Sequence, residues 1–183
     1  MAELRLIHSP PPPLTRDEEC LEAFQRELDY IYQSLRRLGT PASELDDLAQ
    51  EVFLALRHNW DAYDSARPLR PYLFGIAFRI SAASQRKRRR EVAFGVVEPD
   101  DASPRPDEVL QTKQVRRQVL AALELIPLKR RAILVMHDLD DVSARDIAAA
   151  LSIPLFTVYS RLRKARRELE AGLRRMKGNG GVR

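Results

Sequence analysis

Hydrogen-bond donors and cations lie along one side of a helical pattern near the C-terminal end of the sequence. Apolar residues recur there at the spacing of a buried helical stripe: Val158, Leu162, Ala165 and Leu169. The residues left on the outside are Thr157, Tyr159, Ser160, Arg163, Lys164, Arg166 and Arg167. Such side chains donate to base edges and neutralise phosphates, which favours nucleic-acid binding. An isolated basic helix is equally consistent with a solvated surface.

A short helix and a tight break precede this basic helix. Ser143 is placed to cap the short helix, with Asp146 three residues later as in a capping box. The inner face of the short helix carries Ile147, Ala148 and Leu151. The break falls at Ser152–Ile153, and Pro154 suits the first turn of the helix that follows. Two helices in this arrangement predict a helix-turn-helix, whose second helix enters the major groove of DNA.

Few other residues have the types or spacing that catalysis or metal binding needs. The single cysteine, Cys20, excludes an intramolecular disulfide, and His8, His58 and His137 are scattered without metal-ligand spacing. No Ser/His/Asp or Cys/His set and no phosphate-binding glycine loop can be assembled. We therefore expect no metal, no other cofactor and no enzymatic activity.

Charge and hydropathy narrow the class of partner. The 183 residues carry a formal net charge of +5, which favours a polyanionic partner. Basic residues are concentrated at positions 86–90 and in the C-terminal helix, whereas acids cluster between Glu44 and Glu51. Two surfaces of opposite sign suggest two different partners. The single cysteine is typical of a cytoplasmic protein. Because neither a secretion signal nor an apolar stretch of about 20 residues is present, we expect no secretion and no membrane insertion.

Three amphipathic helices are predicted ahead of the helix-turn-helix half. The first runs from Arg16 to about Leu38, and Gly39, Thr40 and Pro41 end it. The second begins after Ser43, and its inner stripe is Leu45, Leu48, Ala49, Val52 and Leu56. A third helix, from Pro71 to about Arg90, starts with aromatic and apolar residues and finishes as QRKRRR.

Periodicity stops between Glu91 and about Gln111, where three prolines and six acids accompany one arginine. This composition predicts a flexible linker, although a plain spacer has the same composition. Helical patterning resumes near Lys113 and includes a helix LKRRAILVMHDL before the helix-turn-helix. The predicted fold is all-α, with two small helical domains joined by the linker. Its segments are a Pro-rich N-terminus (1–14), a first domain (15–90), the linker (91–112), a second domain (113–176) and a tail (177–183).

The order of these parts resembles a bacterial sigma factor of the extracytoplasmic-function class (ECF, group IV). ELDDLAQEVFLAL resembles the region-two helix that docks on core RNA polymerase, and RPLRPYLFGIAFRISAASQRKRRR resembles the segment that opens and reads the minus-ten element. LAALELIPLKRRAILVMHDLDDVSARDIAAALSIPLFTVYSRLRKARREL resembles region four, which reads the minus-thirty-five element. The resemblance implies a dissociable initiation factor whose partners are core polymerase, promoter DNA and an anti-sigma factor.

The resemblance also implies a role for each of three residue groups. Core polymerase would be bound by Asp46, Asp47, Gln50, Glu51 and Leu54. The minus-ten element would be bound and melted by Asn59, Trp60, Tyr63, Arg70, Tyr72, Arg79, Gln85, Arg86, Lys87, Arg88 and Arg89. The minus-thirty-five element would be contacted by Arg145, Thr157, Tyr159, Ser160, Arg161, Arg163, Lys164 and Arg167. Two alternatives stay open: the acidic group is also consistent with a solvated face, and Trp60 and Tyr72 with core packing.

Several positions depart from the family's pattern. Arg79 stands where asparagine is usual, Ala83 where an acid is usual, and Tyr72 where tryptophan is common. Tyr159 occupies a position that is frequently basic, and Ser152 replaces the glycine of the turn, with less backbone freedom. These departures concern the promoter sequence that is read more than the general function.

A different class of function fits the C-terminal half equally well. A stand-alone helix-turn-helix regulator would use residues 15–90 for dimerisation or sensing and would bind a palindrome without polymerase. The acidic group at 46–51 and the basic run at 86–90 argue against it, since a sensor domain needs neither.

Overall fold

The computed structural model describes residues 14–93 and 110–179, with side chains for 14–93 and 115–176. Every regular element within these ranges is helical, which confirms the all-α prediction. Residues 1–13 of the Pro-rich segment, 94–109 of the predicted linker and 180–183 of the tail lie outside the described residues. The domain boundaries stay a prediction.

Four helices form the N-terminal half: α1 (Arg16–Arg26), α2 (Leu28–Arg37), α3 (Leu45–His58) and α4 (Leu69–Ala93). The prediction of one helix from 16 to 38 is wrong, because the chain breaks at Glu27, whose φ and ψ are −103° and 9°. The carboxylate of Glu27 accepts a 2.7 Å hydrogen bond from Arg70 Nε at the start of α4. The apolar spacing continues across the break, so periodicity alone did not reveal it.

The apolar stripes of α2, α3 and α4 pack together as the core of this half. All five predicted stripe residues of α3 are buried, and they contact α2 and the apolar beginning of α4. A short 3₁₀ turn, Ala42–Glu44, leads into α3, so Ser43 lies in that turn and does not cap the helix. α4 extends three residues beyond the predicted end of the first domain, to Ala93.

The C-terminal half contains α5 (Leu110–Glu124), α6 (Leu128–Leu134), α7 (Ala144–Leu151) and α8 (Leu155–Asn179). The sequence LKRRAILVMHDL, predicted as one α-helix, is α-helical only to Leu134 and continues as a π-helical turn, Val135–Leu139. The core of this half includes Ile133, Met136 and Ile147 together with the stripe of α8. Its apolar pattern therefore packs the helix-turn-helix onto α6.

The helix-turn-helix is held by the local features that the sequence predicts. The Ser143 hydroxyl accepts a 3.2 Å hydrogen bond from the Asp146 amide and donates one of 2.6 Å to its carboxylate. Ser152 adopts the left-handed conformation, with φ 52° and ψ 50°, and the Ile153 amide donates to the Ala148 carbonyl. The chain therefore makes the turn without glycine, at a steric cost for the serine Cβ.

The two halves pack directly against each other, α4 against α7 and α2 against α5. At the first contact, a Cβ on Gly75 would lie 2.5 Å from the Ala150 carbonyl oxygen, so only glycine permits this approach. Next to the contact between α2 and α5, the buried Arg131 of α6 bridges the ends of these two helices. It donates a 2.9 Å hydrogen bond to the Leu38 carbonyl and further hydrogen bonds to the carbonyls of Glu124 and Ile126. We call this arrangement closed.

A second polar contact between the halves is the Asp140 cluster, which consists of Asp140, Arg37 and Tyr30. Arg37 Nη1 donates to Asp140 Oδ1 at 2.6 Å, and the Tyr30 hydroxyl donates to Oδ2 at 3.1 Å. Burial raises the pKa of the Asp140 carboxyl, and the nearby Arg37 charge offsets this only in part. Burial and the Asp140 charge likewise raise the pKa of the Tyr30 hydroxyl well above its ordinary value.

Candidate nucleic-acid interface

The orientation of α8 is fixed by its buried stripe. Val158, Leu162 and Ala165 are at most 4% exposed, and the Thr157 amide donates to the Pro154 carbonyl in the first turn. At about 100° per residue, positions 156, 160, 163 and 167 lie within about 40° of one direction, opposite the stripe. This exposed face is the surface that a helix-turn-helix presents to the major groove.

The predicted minus-thirty-five residues divide by exposure. Those exposed are Arg145, Tyr159, Arg163, Lys164 and Arg167; Thr157, Ser160 and Arg161 are half-buried. The Ser160 hydroxyl donates a 3.1 Å hydrogen bond to the Thr157 carbonyl, so its single O–H donor is engaged within the helix and its oxygen is left to accept.

Arg166 is exposed, as the sequence pattern predicts, but its guanidinium is engaged by the protein itself. Its guanidinium binds the Asp138 carboxylate through two hydrogen bonds of 2.6 and 2.8 Å, and the pair holds α8 to the π-helical turn. This hydrogen bonding keeps the pKa of the Asp138 carboxyl below its usual value. Arg166 therefore lies at the edge of the exposed face, about 90° from its centre, and binds Asp138 in this structure.

All five predicted core-binding residues lie on the solvent side of α3. Asp46, Asp47, Gln50 and Glu51 are exposed, and Leu54 is 53% exposed beside them. The Tyr32 hydroxyl donates a 2.7 Å hydrogen bond to Asp46, and this bond raises the pKa of the tyrosine. The result is an acidic surface with an apolar side chain at its end, which is suited to a basic partner with an apolar contact.

Three aromatic rings follow one another after α3. The Trp60 and Tyr63 rings are stacked with centroids 5.5 Å apart, and Tyr63 and Tyr72 lie 5.0 Å apart at a tilt of 36°. We call these residues the aromatic run. All three are half-buried, and Trp60 and Tyr72 also pack against the core, so packing and exposed ring surface coexist. Asn59 and Arg70 beside the run are exposed; Asn59 donates to the Ala55 carbonyl.

The basic end of α4 is partly engaged by the protein itself. Gln85 donates to the Leu38 carbonyl at 2.9 Å, Arg88 binds Glu44 at 2.9 Å, and Arg79 donates to the Ala150 carbonyl at 3.3 Å. Arg86, Lys87 and Arg89 are exposed. In the closed arrangement, only part of the predicted minus-ten group is therefore available to a nucleic acid.

A cavity of about 260 Å³ lies between the halves, next to the aromatic run. One wall includes Tyr63, Arg67 and Tyr72, and the other includes Asp146 and Ala150 of α7. Two of the predicted minus-ten residues, Tyr63 and Tyr72, thus face the helix-turn-helix across this cavity.

Sequence reasoning missed three residues of this region. Phe156 is 81% exposed at the start of the exposed face of α8. Its position opposite the buried stripe could have been predicted from the spacing of the stripe residues. The buried contacts of Arg131 and Asp140 gave no local signal, because their partners are about 100 residues away in the chain.

Across the residues with described side chains, no cluster of His, Cys, Asp or Glu is arranged to hold a metal. None of the described helices is long and apolar enough to span a membrane.

The fold and these surfaces define a two-part helical DNA-binding protein with a C-terminal helix-turn-helix. Residues 23–91 match the family model for Sigma-70 region 2, and residues 116–169 match that for Sigma-70, region 4. RNA polymerase sigma factor NccH of Alcaligenes xylosoxydans xylosoxydans is 30% identical over 156 residues, covering 82% of this chain and 84% of that protein. The chain belongs to the sigma-70 family, as a sigma factor of the extracytoplasmic-function class.

Further relatives agree with this assignment. ECF RNA polymerase sigma factor SigW of Bacillus subtilis is 26% identical over 159 residues, covering 80% of this chain and 84% of that protein. The sigma factor RpoE of Bartonella quintana, solved with the anti-sigma factor NepR, shares the fold with a TM-score of 0.64 at 24% identity, covering 84% of this chain and 98% of that one. CnrH, solved with the cytosolic domain of CnrY, has a TM-score of 0.58 at 23% identity, covering 83% and 85%.

The family assignment carries the general function. A sigma factor binds core RNA polymerase and directs it to promoters, and this chain is such a factor. The alternative of a stand-alone helix-turn-helix regulator is not favoured. Sigma factors as a class are initiation factors without enzymatic activity.

Proposed function

We propose that three surfaces of the chain divide the work of promoter recognition. The exposed face of α8 reads the minus-thirty-five element, the aromatic run and the basic end of α4 read and open the minus-ten element, and the acidic surface of α3 binds core polymerase. The observation that carries this assignment is the register of α8, whose buried stripe turns Arg163 and Arg167 outward, with the half-buried Ser160 on the same side.

Opening a promoter requires sites that stabilise unpaired bases. A base that leaves the stack is costly unless it finds an aromatic surface and hydrogen-bond partners. The aromatic run offers adjacent ring faces, and Arg70 and Asn59 offer donors beside it. The exposed Arg86, Lys87 and Arg89 would follow the phosphates of the same strand.

The two halves must separate for both elements to be bound at once. Centres about 25 base pairs apart are separated by roughly 85 Å at 3.4 Å per base pair. In the closed arrangement α4 contacts α7 directly, and Arg79 donates to the Ala150 carbonyl. The closed arrangement is therefore a form that precedes promoter binding.

The remaining partners follow from the relatives. RpoE and CnrH were solved with NepR and CnrY, of which NepR is an anti-sigma factor. We expect that an anti-sigma factor also binds this chain and masks the surfaces named above. The chain would act in the cytoplasm, supplying binding free energy and strand capture while polymerase performs the chemistry.

Run-off transcription with purified core polymerase and a randomised promoter library tests the proposal. The holoenzyme is expected to select templates with two conserved elements, and alanine at Arg163 is expected to change selection in the upstream element alone. An Arg163→Ala variant with unchanged selection in the upstream element would contradict the assignment of α8. Tight binding of the chain to duplex operators without polymerase would instead favour the stand-alone regulator.

The docking surface is tested by reversing its charge. The double variant Asp47→Lys, Glu51→Lys is expected to lose at least ten-fold in core affinity, since like charges across an interface cost several kcal/mol. A matched control, Glu19→Lys with Glu22→Lys, makes the same charge change at exposed positions of α1. Helical content and promoter selection by α8 should be intact in both. Equal core affinity in the two double variants would show that α3 is not the docking helix.

A further inference from the structure

Phe156 is a large apolar side chain that contributes little to the packing of the fold. It is 81% exposed, the highest value among the large hydrophobic residues described. A phenylalanine ring normally contributes 150–250 Å² of buried surface, and little of that stabilisation is gained here. Its neighbours in the turn differ: Val158 is fully buried, and Leu155 is 38% exposed.

The position of Phe156 places it at the leading end of the α8 face. It lies opposite the buried stripe, with Ser160 one turn further along and Arg163 two turns further along the same side. The first residues of a recognition helix are those that contact base edges in the major groove. An aromatic ring at this position would therefore contact the base edges on the floor of the major groove.

The chemistry of the groove identifies the group that matches this ring. Arg163 and Lys164 are hydrogen-bond donors, suited to the acceptors of guanine and to phosphates. Phe156 has no donor or acceptor, and the paired bases of a duplex are already stacked, so their faces are closed to it. The apolar group on the floor of the major groove is the 5-methyl of thymine, which apolar side chains contact.

We infer that Phe156 is a specificity-determining residue that contacts the 5-methyl group of a thymine in the upstream promoter element. The inference rests on the proposed function of α8 and adds one base to what that helix reads. Tyr159, 56% exposed one turn away, flanks the contact on the same side of the helix.

Replacing single thymines by uracil tests this contact, because uracil differs only by the missing methyl. The template is the upstream element selected by the holoenzyme, with one uracil at a time on either strand, and open-complex formation is measured at limiting holoenzyme. We expect one position at which uracil lowers the rate roughly four-fold, the value for one buried methyl group. The Phe156→Ala holoenzyme should be slower on the thymine template and show no further loss at that position.

Controls separate this inference from the function on which it rests. Val115→Ala removes an apolar side chain that is 61% exposed on α5, and it should keep full sensitivity to uracil. Because Phe156 is exposed, Phe156→Ala should unfold at the same temperature as the unchanged protein. Sensitivity to uracil that persists in Phe156→Ala, or uracil without effect at every position, overturns the inference. If Arg163→Ala still alters selection in that case, the proposed role of α8 stands and only the Phe156 contact is rejected.

Discussion

Replacing Arg37 by alanine tests whether the Asp140 cluster holds the two halves together. In the closed arrangement the Asp140 side chain is 8% exposed and accepts hydrogen bonds from Arg37 and Tyr30. Without Arg37, this buried carboxylate keeps the Tyr30 hydroxyl and the more distant charge of Arg70. The Arg37→Ala variant is therefore expected to favour an open form, in which water reaches the carboxylate.

The size of the effect follows from the burial of the two partners. A buried polar group that loses its partner costs about 1–3 kcal/mol, and breaking a fully buried ion pair about 3–5 kcal/mol. Because Arg37 is 25% exposed and Asp140 keeps one hydrogen bond, we take about 2 kcal/mol. At 1.36 kcal/mol for each factor of ten, the closed-to-open ratio falls about 30-fold.

The dependence on pH has a definite sign. The pKa of Asp140 is raised in the closed form, so this form binds the proton more tightly than a form with a solvated carboxyl. Closure is therefore favoured as the pH falls through the raised pKa and loses this contribution as the pH rises through it. The positive charge of Arg37 lowers the pKa of Asp140. The Arg37→Ala substitution should therefore raise the Asp140 pKa of the closed form further. The open form of Arg37→Ala should consequently close again on acidification.

Energy transfer between dyes on cysteines introduced at Glu22 and Glu170 would report the distance between the halves. Cys20 is 1% exposed and should stay unlabelled. Arg36→Ala is the matched control, since Arg36 is an exposed arginine on the same helix. Adding Asp140→Asn to Arg37→Ala should restore closure, because the amide removes the buried charge. The reasoning is refuted if Arg37→Ala is as closed as Arg36→Ala at neutral pH, or if Asp140→Asn leaves its open fraction unchanged.

Two further predictions concern the helix-turn-helix. Ser152→Gly should stabilise the protein by about 1 kcal/mol, because glycine adopts the left-handed conformation without the clash of a Cβ; thermal unfolding measures this, and a lower unfolding temperature would show that the Ser152 side chain contributes elsewhere. Arg167→Ala should weaken binding of the holoenzyme to promoter DNA uniformly across sequences and reduce the slope of log affinity against log salt by about 0.9, the value for one lost phosphate contact. Arg174→Ala, which removes an arginine paired with Glu170 on the same helix, should leave that slope unchanged.

Local patterns were sufficient for the elements whose buried faces follow a simple period. The stripe of α8, the Ser143 cap and the stripe of α3 all follow from neighbouring residues, and the structure confirms them. The break at Glu27 was not predictable, because the apolar spacing runs through it and its partner, Arg70, lies 43 residues away.

The candidate site shows the same division. Exposure of the α8 face could be predicted, since it is the complement of the buried stripe. The hydrogen bonds of Arg79 and Arg88 within the protein could not be predicted, because the sequence does not show which basic residues lie next to an acid or a carbonyl after folding. Which of the predicted residues touch DNA or polymerase stays a prediction for the variants above.

The Asp140 cluster also limits how this chain can be recombined with its relatives. In a hybrid sigma factor, the C-terminal half that recognises one upstream element is exchanged for the corresponding half of a relative. In this chain Arg37 and Tyr30 come from one half and Asp140 from the other, while Asp138, two residues earlier, holds α8 through Arg166. A hybrid joined within 94–109 would replace Asp140 along with the reader, so its closure would depend on the donor's residue at that position. Hybrids should therefore differ in basal activity even where their DNA-reading residues are identical.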